Sequence, residues 1–182
     1  RWWWCVLMAR FGRGLSAMIT PFTAEGVRDL DEAQRLARWM QANGNDGLVL
    51  AGTTGEAPVL SDDERLTLFA AVIEAVSIPV VAGTGTNDTA HSVHLTQAAK
   101  SLGASGILAV CPYYNRPSQS GIEAHMRAIA GASDLPVIIY DIPVRTGRRI
   151  SSPTLLRLFR EVRALVALKD AAGNPCETAV LI

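Results

Sequence analysis

The sequence predicts an α/β fold in which a buried strand and a helix alternate along the chain. Short apolar runs begin near residues 15, 47, 79, 106, 136 and 165, so a new strand starts about every thirty residues. A strand–helix unit that repeats at this interval indicates βαβ connections and a parallel sheet. The chain contains neither a G-x-G-x-x-G loop nor a Walker-type lysine loop, which disfavours a doubly wound nucleotide-binding sheet.

The remaining architecture with this repeat is a (β/α)8 or TIM barrel, which takes roughly 250 residues. The 182 residues hold about six of its eight units. We therefore expect a barrel truncated after its sixth strand, with residues 8–182 forming one partial catalytic domain. Residues 1–7, a short apolar block rich in tryptophan, are expected to be a non-native or irregular extension before Met8.

Each strand is assigned from its apolar composition and from the residues that stop it. Proline, glycine and asparagine close most of the runs, as expected for the turns that follow buried strands. The predicted strands are Leu15–Thr20, Gly47–Ala51, Pro79–Ala82, Gly106–Val110, Pro136–Asp141 and Leu165–Asp170.

Helices are predicted in the intervals because apolar residues recur there at three- and four-residue spacing. An apolar stripe from Leu30 to Met40 marks the first helix, and Ser61 with Glu64 forms a capping box for the second. A further helix is expected over residues 121–132. Ser152 precedes a proline at the first position of the last complete helix.

Composition argues against several functional classes. Lys+Arg and Asp+Glu are 17 each, so the net charge of zero indicates no nucleic-acid or anionic-membrane partner. No run is apolar enough to cross a bilayer. Cys5, Cys111 and Cys176 are far apart and form no C-x-x-C pair, so the reducing cytoplasm is the expected location.

The three histidines give no sign of a metal site. His91 and His94 lie three residues apart on a predicted helix without a third ligand, and His125 also falls on a helix. We expect all three on helix surfaces, and neither a metal nor an organic cofactor is predicted.

The sixth strand carries the residue type with the most distinctive chemistry. Because side chains alternate along a strand, Leu165, Ala167 and Lys169 should share one face of a buried strand. Burial of Lys169 would favour its neutral amine, which is a nucleophile toward carbonyl carbons and forms Schiff bases. On this stretch alone, a lysine whose ammonium reaches solvent at a strand end remains the alternative.

Other strand ends present hydroxyl groups to the same edge of the predicted sheet. In barrels of this kind the active site lies at the carboxyl ends of the strands. Any one of these residues could have only a structural role in a turn or in the core. Their convergence at one edge of the sheet favours an active site. The candidates are Thr53, Thr54, Tyr113, Tyr114, Tyr140 and Lys169.

Four sequence blocks carry a family resemblance. GTTGE at residues 52–56, PYYNRP at 112–117, YDIPVRTG at 140–147 and LKD at 168–170 resemble the signature blocks of the dihydrodipicolinate (4-hydroxy-tetrahydrodipicolinate) synthases. These are pyruvate-dependent aldolases of lysine biosynthesis, within the superfamily of N-acetylneuraminate lyase. The resemblance covers residues 15–174, and the blocks occur in the family's order.

The resemblance implies roles for four catalytic residues. Lys169 matches the lysine that forms the Schiff base with pyruvate. Tyr140 matches the tyrosine that donates and accepts protons, and Thr53 and Tyr114 match its partners in a hydroxyl relay. Hydroxyl groups suit a relay because each can both give and take a proton.

Three further residues are assigned from the resemblance. Thr54 matches a residue that binds the pyruvate carboxylate, and Arg145 matches the arginine that receives the carboxylate of the second substrate. Tyr113 matches a tyrosine that reaches into a neighbouring subunit, so a homo-oligomer, a tetramer in the intact family, is expected.

The expected substrates are pyruvate and aspartate-4-semialdehyde. Two alternatives stay open: a related pyruvate lyase acting on N-acetylneuraminate or 2-keto-3-deoxy sugars, and an inactive truncated fragment. The arginine block at residues 142–147 favours the synthase over the lyases.

Overall fold

The computed structural model describes residues 11–181, so the predicted extension at residues 1–7 lies outside the described part. The chain divides into two compact units. The first contains the residues up to Gly83 together with Ala98–Gly106, and the second contains Thr84–Gln97 and the residues from Ile107 onward.

The first unit contains three parallel strands in chain order. They are β1 (Leu15–Ala17), β2 (Gly47–Leu50) and β3 (Val80–Gly83). Every residue of β2 and β3 is buried, as expected for valine- and leucine-rich strands of a parallel sheet. The first strand is shorter than predicted, although Met18 still donates its N–H to Val49 across 3.0 Å.

Two helices of the first unit begin where a side chain caps them. Asp29 precedes α1 (Leu30–Ala42) and accepts a hydrogen bond from the Glu32 N–H across 2.9 Å. The predicted capping box before α2 (Asp62–Ala75) is confirmed, with Ser61 and Glu64 each accepting from the other's backbone N–H. The next helix, α3 (Thr89–Ser101), runs from the second unit into the first.

The second unit contains β4 (Gly106–Val110), β5 (Val137–Asp141) and β6 (Leu165–Asp170), again parallel and in chain order. The longer helices are α4 (Gln119–Gly131) and α6 (Ser152–Glu161). Two four-residue helices that the sequence analysis did not anticipate are α5 (Pro143–Thr146) and α7 (Pro175–Thr178). Glu123 on α4 accepts from Arg157 on α6, which joins the two longer helices.

The prediction of a buried sixth strand is wrong for most of its length. Leu165 is buried, but the rest of β6 is half-buried. Among the described residues, β6 pairs with β5 alone, so its other side lacks the cover that an interior strand has. A register shift between Val137 and Ile138 also leaves Val166 without a partner. Such an irregularity interrupts the simple alternation of faces assumed from Leu165 to Lys169.

No helix within residues 11–181 is long and apolar enough to cross a membrane.

We expect Gly83→Ala to destabilise the protein, because a Cβ at residue 83 would lie 2.1 Å from the carbonyl oxygen of Ala51. Overpacking of this kind against backbone should lower the free energy of unfolding by about 2 kcal/mol. Gly131→Ala is the matched control, since nothing lies within 4 Å of a Cβ there and alanine favours a helix. Urea unfolding followed by circular dichroism compares the two, and equal midpoints would contradict the packing described.

Candidate functional site

Lys169 and Tyr140 lie side by side at the carboxyl ends of two paired strands. They are register partners on β6 and β5, so both side chains leave the same face of the sheet. The Lys169 Nζ atom lies over the Tyr140 ring, 4.4 Å from its centroid. This is within the range of a cation–π contact when the amine is protonated. Tyr140 is 5% exposed, whereas Lys169 is half-buried.

The loop after β4 presents its two tyrosines differently. Tyr113 is half-buried, but Tyr114 is 90% exposed and has a left-handed backbone with a φ of 69°. Arg116, two residues on, also has a positive φ of 46°. Such conformations are costly for residues with a side chain and mark a loop held in a specific shape. Within this unit the structure brings Tyr140 to Lys169 and leaves Tyr114 in solvent.

Arg145 lies on the short helix α5, directly after β5, and its side chain is exposed. Gly147 ends this helix with a left-handed φ of 69° and donates its N–H to Pro143 across 2.8 Å. The backbone at Gly147 also passes close to the side chain of Arg116 in the loop after β4. A Cβ at residue 147 would lie 2.7 Å from Arg116 Nε. The guanidinium of Arg145 is therefore carried by a tightly folded turn and remains free to meet an anion from solvent.

Thr53 and Thr54 lie in the first unit, in the turn that follows β2. Thr53 is half-buried and Thr54 is exposed. The buried hydroxyl of Thr20 donates to the Gly55 carbonyl across 2.7 Å, which ties this turn to the segment after β1. Ala51 and Glu56 flank the turn with positive φ values of 46° and 56°. The turn thus has a defined shape that fixes where both threonines leave the strand end.

Asp141 is a buried acid that the sequence analysis did not single out. It follows Tyr140, is 2% exposed, and accepts the Ile150 N–H at 3.3 Å and 3.4 Å from its two oxygens. Burial raises the pKa of Asp141 to about 6, an effect that the Ile150 N–H and Arg149 oppose and Asp170 reinforces. The sequence shows that an acid follows a strand-end tyrosine. This position alone does not show whether the side chain of Asp141 points into the core or into solvent.

A buried thiol lies near the same acid. Burial, with a smaller contribution from Asp141, raises the pKa of Cys111 to about 12. The Sγ atom donates a weak hydrogen bond to the Arg148 carbonyl at 3.8 Å. A thiol of this kind is an inert packing group rather than a nucleophile.

The prediction that His125 lies on a helix surface is wrong. Its side chain is 3% exposed, and its Nδ1 atom lies 2.8 Å from the Thr89 hydroxyl. Burial lowers the pKa of His125 to about 4, so the ring is neutral near pH 7. His94 is exposed, as predicted, and His91 is half-exposed. Within residues 11–181 there is no cluster of three or more histidine, cysteine or acidic residues arranged to hold a metal ion.

Comparison with known sequences gives a consistent set of relatives. A sequence model described as the dihydrodipicolinate synthetase family matches residues 10–181. A 4-hydroxy-tetrahydrodipicolinate synthase of Acidothermus cellulolyticus is 54% identical over 168 residues, which is 91% of this chain and 54% of that protein. The enzyme of the same name from Moorella thermoacetica is 52% identical over 167 residues, 91% of this chain and 57% of that protein. The chain therefore spans just over half the length of these curated relatives.

Solved structures agree with the sequence comparisons. Dihydrodipicolinate synthase from Cyanidioschyzon merolae, with lysine bound, is 42% identical with a TM-score of 0.93, and the match covers 94% of this chain and 59% of that one. The Acinetobacter baumannii enzyme, complexed with pyruvate, is 40% identical with a TM-score of 0.91 and coverages of 94% and 60%. These matches confirm the predicted (β/α)8-barrel class, of which residues 11–181 contain six strands.

We expect the stability of Asp141→Asn, relative to the unsubstituted chain, to be greater at pH 7.5 than at pH 5. The pKa of Asp141 rises from its usual 3.8 to about 6 on folding, so between these values the folded state holds a proton that the unfolded state has lost. The stability contribution of Asp141 is therefore lost as pH rises through this window. Asparagine does not titrate, so its variant does not suffer this loss. The free energy of unfolding of Asp141→Asn, relative to that of the unsubstituted chain, should therefore rise by about 1 kcal/mol between pH 5 and pH 7.5.

Urea unfolding of both proteins at the two pH values measures this gain. Asp170→Asn is the matched control, because the Thr178 hydroxyl and the Ala172 N–H lower the pKa of Asp170 below its usual 3.8. Asp170 is therefore ionised in both the folded and the unfolded chain at pH 5 and pH 7.5, and its substitution should give no change between the two pH values. A stability difference for Asp141→Asn that does not change with pH would contradict the buried acid described here.

Proposed function

Because this chain belongs to the dihydrodipicolinate synthetase family, we propose that its protein is a pyruvate-dependent Schiff-base aldolase. The reaction condenses pyruvate with aspartate-4-semialdehyde to give 4-hydroxy-tetrahydrodipicolinate, a lyase-class step in lysine and diaminopimelate biosynthesis. The observation that carries the proposal is the position of the Lys169 amine over the Tyr140 ring, 4.4 Å from its centroid, at paired strand ends.

Lys169 supplies the nucleophile in this proposal. Its neutral amine attacks the keto carbon of pyruvate, water leaves, and a protonated imine forms. The cationic nitrogen draws electrons, so the pyruvate methyl group loses a proton and becomes an enamine carbon. That carbon attacks the aldehyde of the second substrate, and the new alkoxide takes up a proton. The amino group of the bound semialdehyde then displaces Lys169 as the ring closes, which regenerates the free amine.

Tyr140 is proposed to move the protons of these steps. Its hydroxyl can accept the proton released on imine formation and return one to a departing oxygen. Burial of the Tyr140 ring supports this role, because a fixed ring limits the positions that its hydroxyl group can take. Thr53 and Tyr114 are assigned to the relay from the resemblance alone. The exposure of Tyr114 means that its loop must move, or a second copy must cover it, before it joins the relay.

The two carboxylates of the substrates are assigned to different groups. Thr54 is proposed to bind the pyruvate carboxylate. The exposed guanidinium of Arg145 suits bidentate binding of the semialdehyde carboxylate. Tyr113 is proposed to contact a second copy in a homo-oligomer, tetrameric in the intact family. The cytoplasm is the proposed location, with no nucleic-acid or membrane partner and no cofactor.

Two alternatives to the synthase stay open. The lysine–tyrosine pair is equally compatible with a related lyase that cleaves N-acetylneuraminate or a 2-keto-3-deoxy sugar. The second alternative is that this chain, which spans just over half the length of its relatives, is inactive on its own. The experiments below distinguish the synthase from the related lyase and from the inactive fragment.

We expect the protein to exchange the methyl protons of pyruvate with solvent in D2O without any aldehyde present, because the imine and enamine form reversibly. Lys169→Arg should abolish this exchange, whereas Lys100→Arg should keep it. Proton NMR of pyruvate measures the rate. Exchange that persists in Lys169→Arg would contradict the assigned nucleophile.

We expect Tyr140→Phe to slow the same exchange by about 10²- to 10⁴-fold, the usual contribution of a positioned acid–base group. The ring is retained, so the contact with the Lys169 side chain should persist and the loss should report the hydroxyl alone. A rate within twofold of the unsubstituted protein would rule out Tyr140 as the proton-transfer group.

Aldehyde preference separates the synthase from the lyases. We expect pyruvate consumption with aspartate-4-semialdehyde and none with N-acetylmannosamine, and the reverse preference would indicate the lyase. If the 182-residue chain shows no exchange but a version extended by two further strand–helix units does, the inactive-fragment alternative is correct for this chain.

A further inference from the structure

Asp141 takes no part in the chemistry proposed above, yet it stands immediately after Tyr140 and is almost fully buried. Because side chains alternate along a strand, its carboxyl group leaves β5 on the face opposite Tyr140. A buried carboxyl group is unfavourable unless hydrogen bonds or a cation compensate for the lost water. Its partners therefore indicate what it holds in place.

The first partner is the backbone just before α6. The Ile150 N–H points at the carboxyl group, with distances of 3.3 Å and 3.4 Å to its two oxygens. The side chain of Gln119 holds the same stretch from the other side. It donates to the Arg149 carbonyl across 2.8 Å and accepts from the Ser151 N–H across 2.9 Å. The backbone at residues 149–151 is thus fixed by side chains from β5 and α4.

The second partner is Arg149, whose Nε atom lies 4.0 Å from the carboxyl group of Asp141. The other end of this guanidinium forms an ion pair with Glu177 on α7, the short helix that follows β6. The Asp141 carbonyl oxygen also accepts the Ala171 N–H across 2.9 Å. Side-chain and backbone contacts therefore connect the end of β5 to the segment that follows β6.

We propose that the Asp141–Arg149 brace, consisting of Asp141, Arg149, the Ile150 N–H and Glu177, positions the carboxyl ends of β5 and β6 so that Lys169 stays over the Tyr140 ring. Asp141 and Asp170 are register partners, and each directly follows one member of the reactive pair. A shift at this pair of residues is transmitted to Tyr140 and Lys169 through a single peptide unit. Asp141 and Arg149 are positioning residues, since neither contacts the reacting atoms.

The geometric part of the inference can be tested without pyruvate. The chain contains no lysine other than Lys100 and Lys169, so lysine labelled with ¹³C at Cε gives one signal from each. The Tyr140 ring should shift the Lys169 signal upfield, and Tyr140→Leu should assign that signal by removing the shift. Lys100 lies exposed on α3 and gives the reference signal. Circular dichroism of each variant reports whether it is folded.

Asp141→Ala and Arg149→Gln should each move the Lys169 signal toward that of Lys100. Asp141→Asn should leave it in place, because the amide oxygen still accepts the Ile150 N–H. Arg148→Gln is the matched control, since the adjacent Arg148 donates instead to the Arg116 carbonyl across 3.2 Å. If Asp141→Ala fails to fold, Arg149→Gln decides the outcome. The inference is overturned if the Lys169 signal is unchanged in whichever of Asp141→Ala and Arg149→Gln are folded.

The consequence for catalysis rests on the proposed function and is measured separately. Misplacement of a reactive pair by about 1 Å can cost up to 10²-fold in rate. We therefore expect pyruvate methyl exchange to fall about tenfold in Asp141→Ala and to recover in Asp141→Asn. If neither the unsubstituted protein nor a version extended by two further strand–helix units shows exchange while the Lys169 signals move as expected, the proposed function fails and the positioning role stands. Normal exchange in Asp141→Ala, with the Lys169 signal unmoved, refutes the positioning role.

Discussion

The register between β5 and β6 is the constraint on which the candidate site depends. Tyr140 faces Lys169 because the pairing shifts by one residue between Val137 and Ile138, which leaves Val166 outside the ladder. Without that shift, Tyr140 would face Leu168 and Lys169 would face Asp141. Side-chain direction alternates with period two, so a one-residue slip would turn the amine away from the phenol. A local irregularity in backbone pairing thus determines whether the two groups can cooperate.

In the proposed function, buried and exposed residues of the second unit carry different tasks. Tyr140 is fixed by its position in a buried strand, whereas the lysine beside it is half-buried. Arg145 and Tyr114 lie on exposed turns, where a substrate or a second copy of the chain can meet them. This division is physically reasonable, because imine chemistry needs fixed distances, whereas recognition of the second substrate tolerates loops that adjust.

Much of the fold was predictable because it depends on patterns that repeat along the chain. Apolar runs at intervals of about thirty residues located all six strands, and a serine three residues before a glutamate located the start of α2. The sequence also predicted that Tyr140 and Lys169 lie at the same edge of the sheet, since the carboxyl ends of parallel strands meet there. It did not predict that the Lys169 amine lies over the Tyr140 ring, or at what distance.

The features that escaped prediction depend on contacts between segments distant in sequence. His125 is polar and lies on an amphipathic helix, so the pattern favoured solvent, but Thr89, 36 residues away, provides a buried partner. Asp141 looked like the last residue of a strand, and only the position of Ile150 explains why its carboxyl group is tolerated inside. The pairing irregularity at Val166 leaves no trace in composition, because any apolar residue could occupy that place.

The most direct test of the central claim is borohydride reduction in the presence of pyruvate, followed by intact-mass measurement and peptide mapping. Reduction converts the imine into a stable secondary amine that marks the lysine that formed it. We expect one pyruvate-derived adduct on Lys169 and none on Lys100, and no adduct when pyruvate is omitted. An adduct on Lys100 alone would contradict the assignment of Lys169. The absence of any adduct, in both this chain and an extended version, would contradict the aldolase function itself.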